Sequence, residues 1–249
     1  MIAPNMVNTS EILSPKGRPN RRPKAWLSWS TGKDSAWSLH VARQSGALDV
    51  VALLTTVNQT HERVAMHAVR QSLLERQAEA AGLPLVTVPI PSPCSNETYE
   101  QAMAAAMQRA CAEGVTHMIF GDLFLEDVRR YREEKLAGCG IEPVFPLWGI
   151  PTRQLAEEMI ARGVRSYLTC VDPRKLDKSF AGREWNAKLL AEMPASVDPC
   201  GEYGEFHTFA FAGPMFRGRI NLRAGEVVDR DGFVFADLVP EGLASDAAF

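Results

Sequence analysis

Two short segments concentrate the residue types that can do chemistry. The first, Ser30-Thr31-Gly32-Lys33-Asp34-Ser35, is a polar turn with one glycine set between an apolar run and a helical pattern. At a strand-to-helix junction the first helical N–H groups lack intrahelical partners, the helix dipole adds partial positive charge, and Gly32 lets the backbone approach a ligand closely, so the place suits an anion. Ser30, Thr31 and Ser35 offer hydroxyl donors and Lys33 a countercharge for phosphate. The same residue types also build ordinary turns and helix caps, which leaves a strand, a turn and a capped helix as the plain alternative. Neither GxxxxGK[ST] nor GxGxxG is present.

The second segment is Asp198-Pro199-Cys200-Gly201-Glu202-Tyr203-Gly204-Glu205-Phe206-His207-Thr208, which brings together carboxylates, an imidazole and a thiol. Gly201 and Gly204 permit tight turning, and alternation along a strand sets Glu205 and His207 on one side. Paired carboxylates such as Glu202 and Glu205 can hold ammonium, orient an amine nucleophile or accept its proton. A glycine turn leading into an edge strand with a watered polar side is the alternative. Cys200 reads as a small buried residue rather than a nucleophile.

Lesser candidates stand where ligands gather in open sheets. Gly121-Asp122 follows an apolar strand, just beyond its carboxyl end, and Thr55 and Thr56 close another strand where an adenine can lie. Arg63, Met66, His67 and Arg70 recur at helical spacing and can face the cleft or the solvent. Tyr131 and Arg132, with Glu126 and Arg129 nearby, can bind a substrate acid, although mixed charges of this kind also describe a solvated helix face.

The elements that must position these residues alternate. Strands are expected over 25–29, 50–57, 85–89, 116–120, 142–146 and 165–171, and helices over 34–45, 64–81, 97–113, 123–138 and 152–162, several of them followed by Gly46, Gly82 or Gly114. The nearly continuous β-branched run 50–57 marks a strand covered on both faces. Repeated β and α units imply an α/β fold with a doubly wound parallel sheet and right-handed crossovers. Beyond about residue 195 glycines, aromatics and short strands such as 205–212 and 226–235 take over. Three regions are therefore expected: a flexible, proline-rich tail over 1–23, a nucleotide-binding domain over 24–146, and a smaller α+β substrate lobe over 147–249.

A chain of 249 residues, 46% hydrophobic and 23% charged, can bury a full core, and its net charge of -3 provides no footprint for nucleic acid. The five cysteines form no CxxC pair, which argues against zinc, iron–sulfur and dithiol chemistry and for reduced thiols. No signal-type stretch and no apolar run of the roughly 18 residues needed to cross a bilayer occurs, so a cytoplasmic protein is expected.

The loop resembles the SGGxDS pyrophosphate loop of the N-type ATP pyrophosphatases, with Thr31 standing at the first glycine. Together with Pro146-Leu147-Trp148-Gly149, Gly182-Arg183 and the 198–208 segment, it makes the chain, from about residue 26 to 216, similar to the diphthine–ammonia ligase family, whose C-terminal half carries PLWG and an NPCGEGGEYET-like stretch. The resemblance implies a HUP-like domain that binds ATP and Mg2+. ATP would be held by Ser30, Thr31, Gly32, Lys33, Asp34, Ser35, Thr55, Gly121 and Asp122, with Asp34 on the metal. It further implies that a carboxylate attacks the α-phosphorus, releasing pyrophosphate, and that ammonia then displaces AMP. Glu202 and Glu205 match the family's acidic positions, and His207 stands where the family has Glu, so Lys33, Asp34, Glu202, Glu205 and His207 form the implied catalytic set. The implied partners are a small or protein-borne carboxylate and ammonia, with no nucleic acid and no membrane; a homodimer is allowed. A nucleotide sensor without turnover and a tRNA-thiolating adenylation enzyme are the competing readings, the latter disfavoured by the absence of paired cysteines.

Overall fold

The computed structural model describes residues 22–58, the backbone of 63–64, and residues 69–241. The expected tail lies outside the described residues apart from Arg22 and Pro23, as do Met66 and His67 and the side chain of Arg63.

Five parallel strands form the first sheet in the order β4-β2-β1-β5-β6: β1 (Lys24–Ser28), β2 (Asp49–Asn58), β4 (Leu85–Ile90), β5 (Val115–Ile119) and β6 (Glu142–Val144). A two-residue strand, β3 (Arg63–Val64), pairs antiparallel with the far end of β2. The chain builds outward from β1 through β2 to β4 and then returns to the other side at β5. This places a crevice at the carboxyl ends of β1 and β5, where the winding reverses.

Strand alternation sorts the core onto two faces. Ala25 and Leu27 of β1 point to one side, against Trp37 and Leu39 of α1 (Lys33–Ser45) and Leu73, Leu74 and Ala78 of α2 (Gln71–Ala81). Trp26 points to the other side, with Ala52 and Leu54, against Ala106, Met107 and Ala110 of α3 (Asn96–Ala112) and Leu136 of α4 (Glu126–Leu136). Helices on both faces make the expected doubly wound α/β sheet.

After α5 (Thr152–Ala161) a second, antiparallel sheet follows. Its central strand β7 (Arg165–Val171) pairs with β9 (Phe206–Ala212), with β8 (Glu184–Trp185) and with β11 (Phe233–Pro240), which in turn pairs with β10 (Leu222–Arg230). The short helix α6 (Ala187–Glu192) completes this smaller lobe. Among the described residues no helix is long and apolar enough to cross a membrane.

Four features differ from the sequence reading. The helix expected from residue 64 begins at Gln71, because β2 continues to Asn58 and draws residues 63–64 into a strand pair. The helix expected from 123 begins at Glu126; residues 123–125 stay outside it, with the Leu123 N–H donated to the Glu202 carboxylate of the second lobe. Strand 165–171 does not extend the parallel sheet but leads the antiparallel one. The expected strand over 226–235 is a hairpin, with the chain reversing at Asp231 and Gly232, both at positive φ.

Candidate active site

Three segments meet at the crevice: the loop 30–35, the end of β5 at 120–123, and the turn 198–205 leading into β9. Each is fixed by its neighbours. Thr31 sits at φ 71, a left-handed conformation unusual for a β-branched residue, and it is fully buried. Gly121 follows β5 where a Cβ would lie 3.0 Å from the Ser35 nitrogen and 3.1 Å from the Asp34 carbonyl carbon, so only glycine lets the strand end pack against the start of α1. Gly201, at φ 76, likewise leaves room for the Phe206 carbonyl, which a Cβ would approach to 2.9 Å.

Asp198 organises the second turn. Its Oδ1 accepts the Cys200 and Glu202 N–H groups (2.9 and 3.2 Å), its Oδ2 accepts the Thr152 hydroxyl (2.6 Å), and its own N–H donates to Glu205 Oε1 (3.0 Å). Glu205 therefore precedes the strand, which starts at Phe206. Its carboxylate is buried and turned back on Asp198, while His207 lies one residue into β9.

Lys33 joins the loop to this turn. The residue is 1% exposed, and its ammonium donates to Asp34 Oδ2 (2.8 Å) and to the Cys200 carbonyl, between the Trp185 and Phe206 rings at 5.3 and 5.4 Å. Its N–H donates to Thr208 Oγ1 (3.1 Å). Burial alone would lower the Lys33 pKa, but Asp34 beside it, with weaker help from Cys200 and Glu202, holds it above the ordinary lysine value. The charge is thus firmly kept, and it is spent within the site. Burial pushes Asp34 above the usual aspartate range although Lys33 opposes this, and the quarter of its side chain that stays open, 24%, moderates the effect.

Glu202 faces the crevice from the turn and accepts the Leu123 N–H at 2.8 Å. Burial, reinforced by the charges of Asp34 and Asp122, pushes it up to about 7. Asp122 is raised by burial, with Arg132 at 3.6 Å working against the shift. Burial and the Lys33 charge bring His207 down to about 4, so its imidazole is neutral at neutral pH. Burial drives the Cys200 thiol far up, out of reach as a thiolate.

Magnesium commonly takes one or two protein carboxylates and completes its shell with water and phosphate oxygens. Asp34 offers one such oxygen, since its Oδ1 is buried with no hydrogen-bond partner among the described residues, although no group of three or more His, Cys, Asp or Glu among them is arranged to hold a metal.

Beside the loop lies a cavity of about 430 Å³, at the carboxyl ends of β1, β2 and β5 and between α3 and α4. Ser30, Thr55 and Thr56 line it, as do Phe120, Tyr131 and Arg132. Thr55, Tyr131 and Arg132 are thus at a cavity wall, whereas Arg70 is drawn away to Asp237 of β11 (Nε to Oδ1, 3.1 Å). Met103 and Met107 of α3, which also line the cavity, were not legible as site residues because their spacing is that of ordinary core. Gln77, Asp198 and Thr208 escaped as supports, although Gln77 gives a signal in retrospect: a polar side chain on the face of α2 that buries Leu73, Leu74 and Ala81.

The class these features define is a HUP-like α/β protein, with a polar loop at the switch point of its sheet and an acidic turn from a second lobe closing over it. The chain belongs to the diphthamide synthase family: residues 24–141 match the model of the diphthamide synthase N-terminal domain and residues 151–235 that of its C-terminal domain. It is similar to the diphthine–ammonia ligase of Danio rerio, 28% identical over 233 residues that cover 83% of this chain and 89% of that protein. The ligase of Bos taurus is 26% identical over 241 residues, covering 83% and 85%, and that of Homo sapiens 25% over 188 residues, covering 71% and 68%.

Proposed function

We propose that this chain is an ATP-dependent amide ligase that activates a diphthine-type carboxylate and amidates it with ammonia. The observation that carries the reading is the closure of the Glu202 turn over the Ser30–Ser35 loop, with a base-sized cavity opening from the loop's other edge. ATP is a substrate here: its base and ribose take the cavity under Thr55 and Thr56, and its phosphates run past Ser30 toward Ser35 and the start of α1. Magnesium, when bound by Asp34, supplies charge neutralisation to the departing pyrophosphate. An oxygen of the substrate carboxylate attacks the α-phosphorus and pyrophosphate leaves. Ammonia then attacks the activated carbonyl carbon, the C–O bond to AMP breaks, and Glu202 in its ionised form takes the proton from nitrogen. Neutral His207 can accept or donate a hydrogen bond to the substrate but carries no charge to it. Lys33 keeps Asp34 and the Cys200 carbonyl in register, and Glu205 holds the turn through Asp198.

The test is AMP and pyrophosphate release from magnesium ATP with ammonium and diphthine-bearing elongation factor. Both products should appear only when acid and ammonia are present. Asp34→Asn should lower kcat by about a hundredfold or more, the scale for losing one preorganised electrostatic group. Lys33→Ala is the poorer probe, since it strands the Asp34 carboxylate beside Glu202 and Asp122 and disturbs the fold as well. AMP formation that ignores ammonia would sink the ligase reading.

A further inference from the structure

Gln77 has no solvent exposure and lies on α2, away from the acidic turn, yet all three of its bonds go to the loop or to the strand behind it. Its Oε1 accepts the Trp29 indole N–H at 2.9 Å, and its Nε2 donates to the Thr31 carbonyl at 2.9 Å and to the Ala210 carbonyl at 2.6 Å. The orientation of the amide is forced, because an indole N–H can only donate and a carbonyl can only accept. The Thr31 carbonyl also accepts the Ala210 N–H at 3.0 Å, so α2 and β9 grip it together. Trp29 and Thr31 flank Ser30, and Thr31 is the residue held in the left-handed conformation.

We infer that Gln77 is a positioning residue, which keeps the 30–35 loop in its ligand-binding shape by fixing the carbonyl of Thr31; this rests on the reading of that loop as the phosphate site. A threonine leaves the left-handed region readily, because its branched Cβ crowds the backbone there. Two buried donors on its carbonyl oppose the rotation of the peptide that leaving would require. Methionine matches the glutamine in length and supplies neither donor nor a useful acceptor. Glutamate still accepts from Trp29 but turns an oxygen toward two carbonyls. When the grip is lost, the loop spends only a fraction of its time in the competent shape, and the apparent affinity for ATP falls by that fraction.

A glutamine that merely stabilises the core would act the same way whatever residue stands at position 31. The experiment therefore compares wild type, Gln77→Met, Thr31→Gly and the double variant, reading KM for magnesium ATP, kcat and the unfolding midpoint. Gln77→Met should raise KM about tenfold, with kcat changed by less than about threefold, since the competent fraction falls while the bound state is unaltered. Glycine takes the left-handed conformation freely, so in the Thr31→Gly background the same substitution should raise KM by less than about threefold. An equal effect in both backgrounds, or none in either, overturns the inference. Should Gln77→Met not accumulate as folded protein, Thr31→Gly is expected to restore its folding; a double variant that stays unfolded while Thr31→Gly alone folds also overturns it. If Asp34→Asn and Ser35→Ala bind ATP as wild type does, the phosphate reading has failed instead. The unfolding midpoints of the same four proteins then decide the grip on Thr31: non-additive shifts support it and additive ones remove it.

Discussion

At the residue scale the site is a balance of buried charge. Lys33 neutralises Asp34, and Glu202 carries the negative surplus, pushed from an ordinary 4.5 up to about 7 chiefly by burial and then by Asp34 and Asp122. A base must be ionised to work, so at constant free ammonia kcat should rise as pH climbs through 7, and Glu202→Gln should lose both that limb and most of the rate. Stability runs the other way. Because the folded value lies above the unfolded one, the fold retains a proton that the unfolded chain gives up. Glu202 therefore contributes most below the unfolded value, and the contribution disappears as pH rises through about 7. Glu202→Gln escapes that loss and should be the more stable protein at pH 8, by about 1–2 kcal/mol once ~1.4 kcal/mol per pKa unit is discounted for the partial solvent exposure of the carboxylate. Chemical denaturation of both proteins at pH 4 and pH 8 checks the sign.

At the element scale, the turn 198–205 is a bracket tied at one residue. Asp198 satisfies two N–H groups of the turn and one hydroxyl of α5, so Asp198→Ala removes three acceptances at once. The expected cost is about 2–3 kcal/mol of stability, the scale of buried donors left unpaired. Since Glu202 shifts with the turn while the cavity proposed for the nucleotide is built from the first sheet, kcat should fall by at least tenfold with little change in the affinity for ATP. Calorimetric ATP binding beside steady-state kinetics separates the two. The same element shows what was legible in the sequence. The loop and the glycine-flanked turn stood out because polar residues and glycines fall there where a core would have apolar ones. The strands of the first sheet were legible from β-branched runs, whereas the cap of α3, where the Ser95 hydroxyl accepts the Thr98 N–H, was not read. What stayed hidden were facts of partnership. Nothing local to 165–171 says that its neighbours are antiparallel, nothing in 123–125 says that a glutamate far along the chain will claim Leu123, and the alternation through 226–235 looks the same with or without the reversal at Asp231.

At the scale of the whole molecule, we propose a division of labour between 24–146 and 147–249, nucleotide on the first and acid and ammonia on the second. The two parts do not share it as independent folding units. One face of the first sheet, through Leu27, Trp29, Trp37 and Leu73, packs in a single buried cluster with Leu168, Phe209, Phe211 and Phe216 of the second lobe. The Trp29 and Phe216 rings meet edge to face at 6.3 Å. The polar ties cross at the same place, from Lys33 to Cys200 and Thr208 and from Thr31 and Gln77 to Ala210. A fragment of residues 22–146 would bare that cluster to water, at a cost of roughly 25 cal/mol for each Å² of apolar surface left uncovered. It should therefore bind apolar dyes and lack a sharp unfolding transition, whereas the whole chain should unfold in one step, with tryptophan fluorescence and far-ultraviolet dichroism coinciding. Two separated transitions in the whole chain, or a fragment that melts cooperatively and binds ATP, would show instead that the loop is shaped within the first sheet alone and owes nothing to β9.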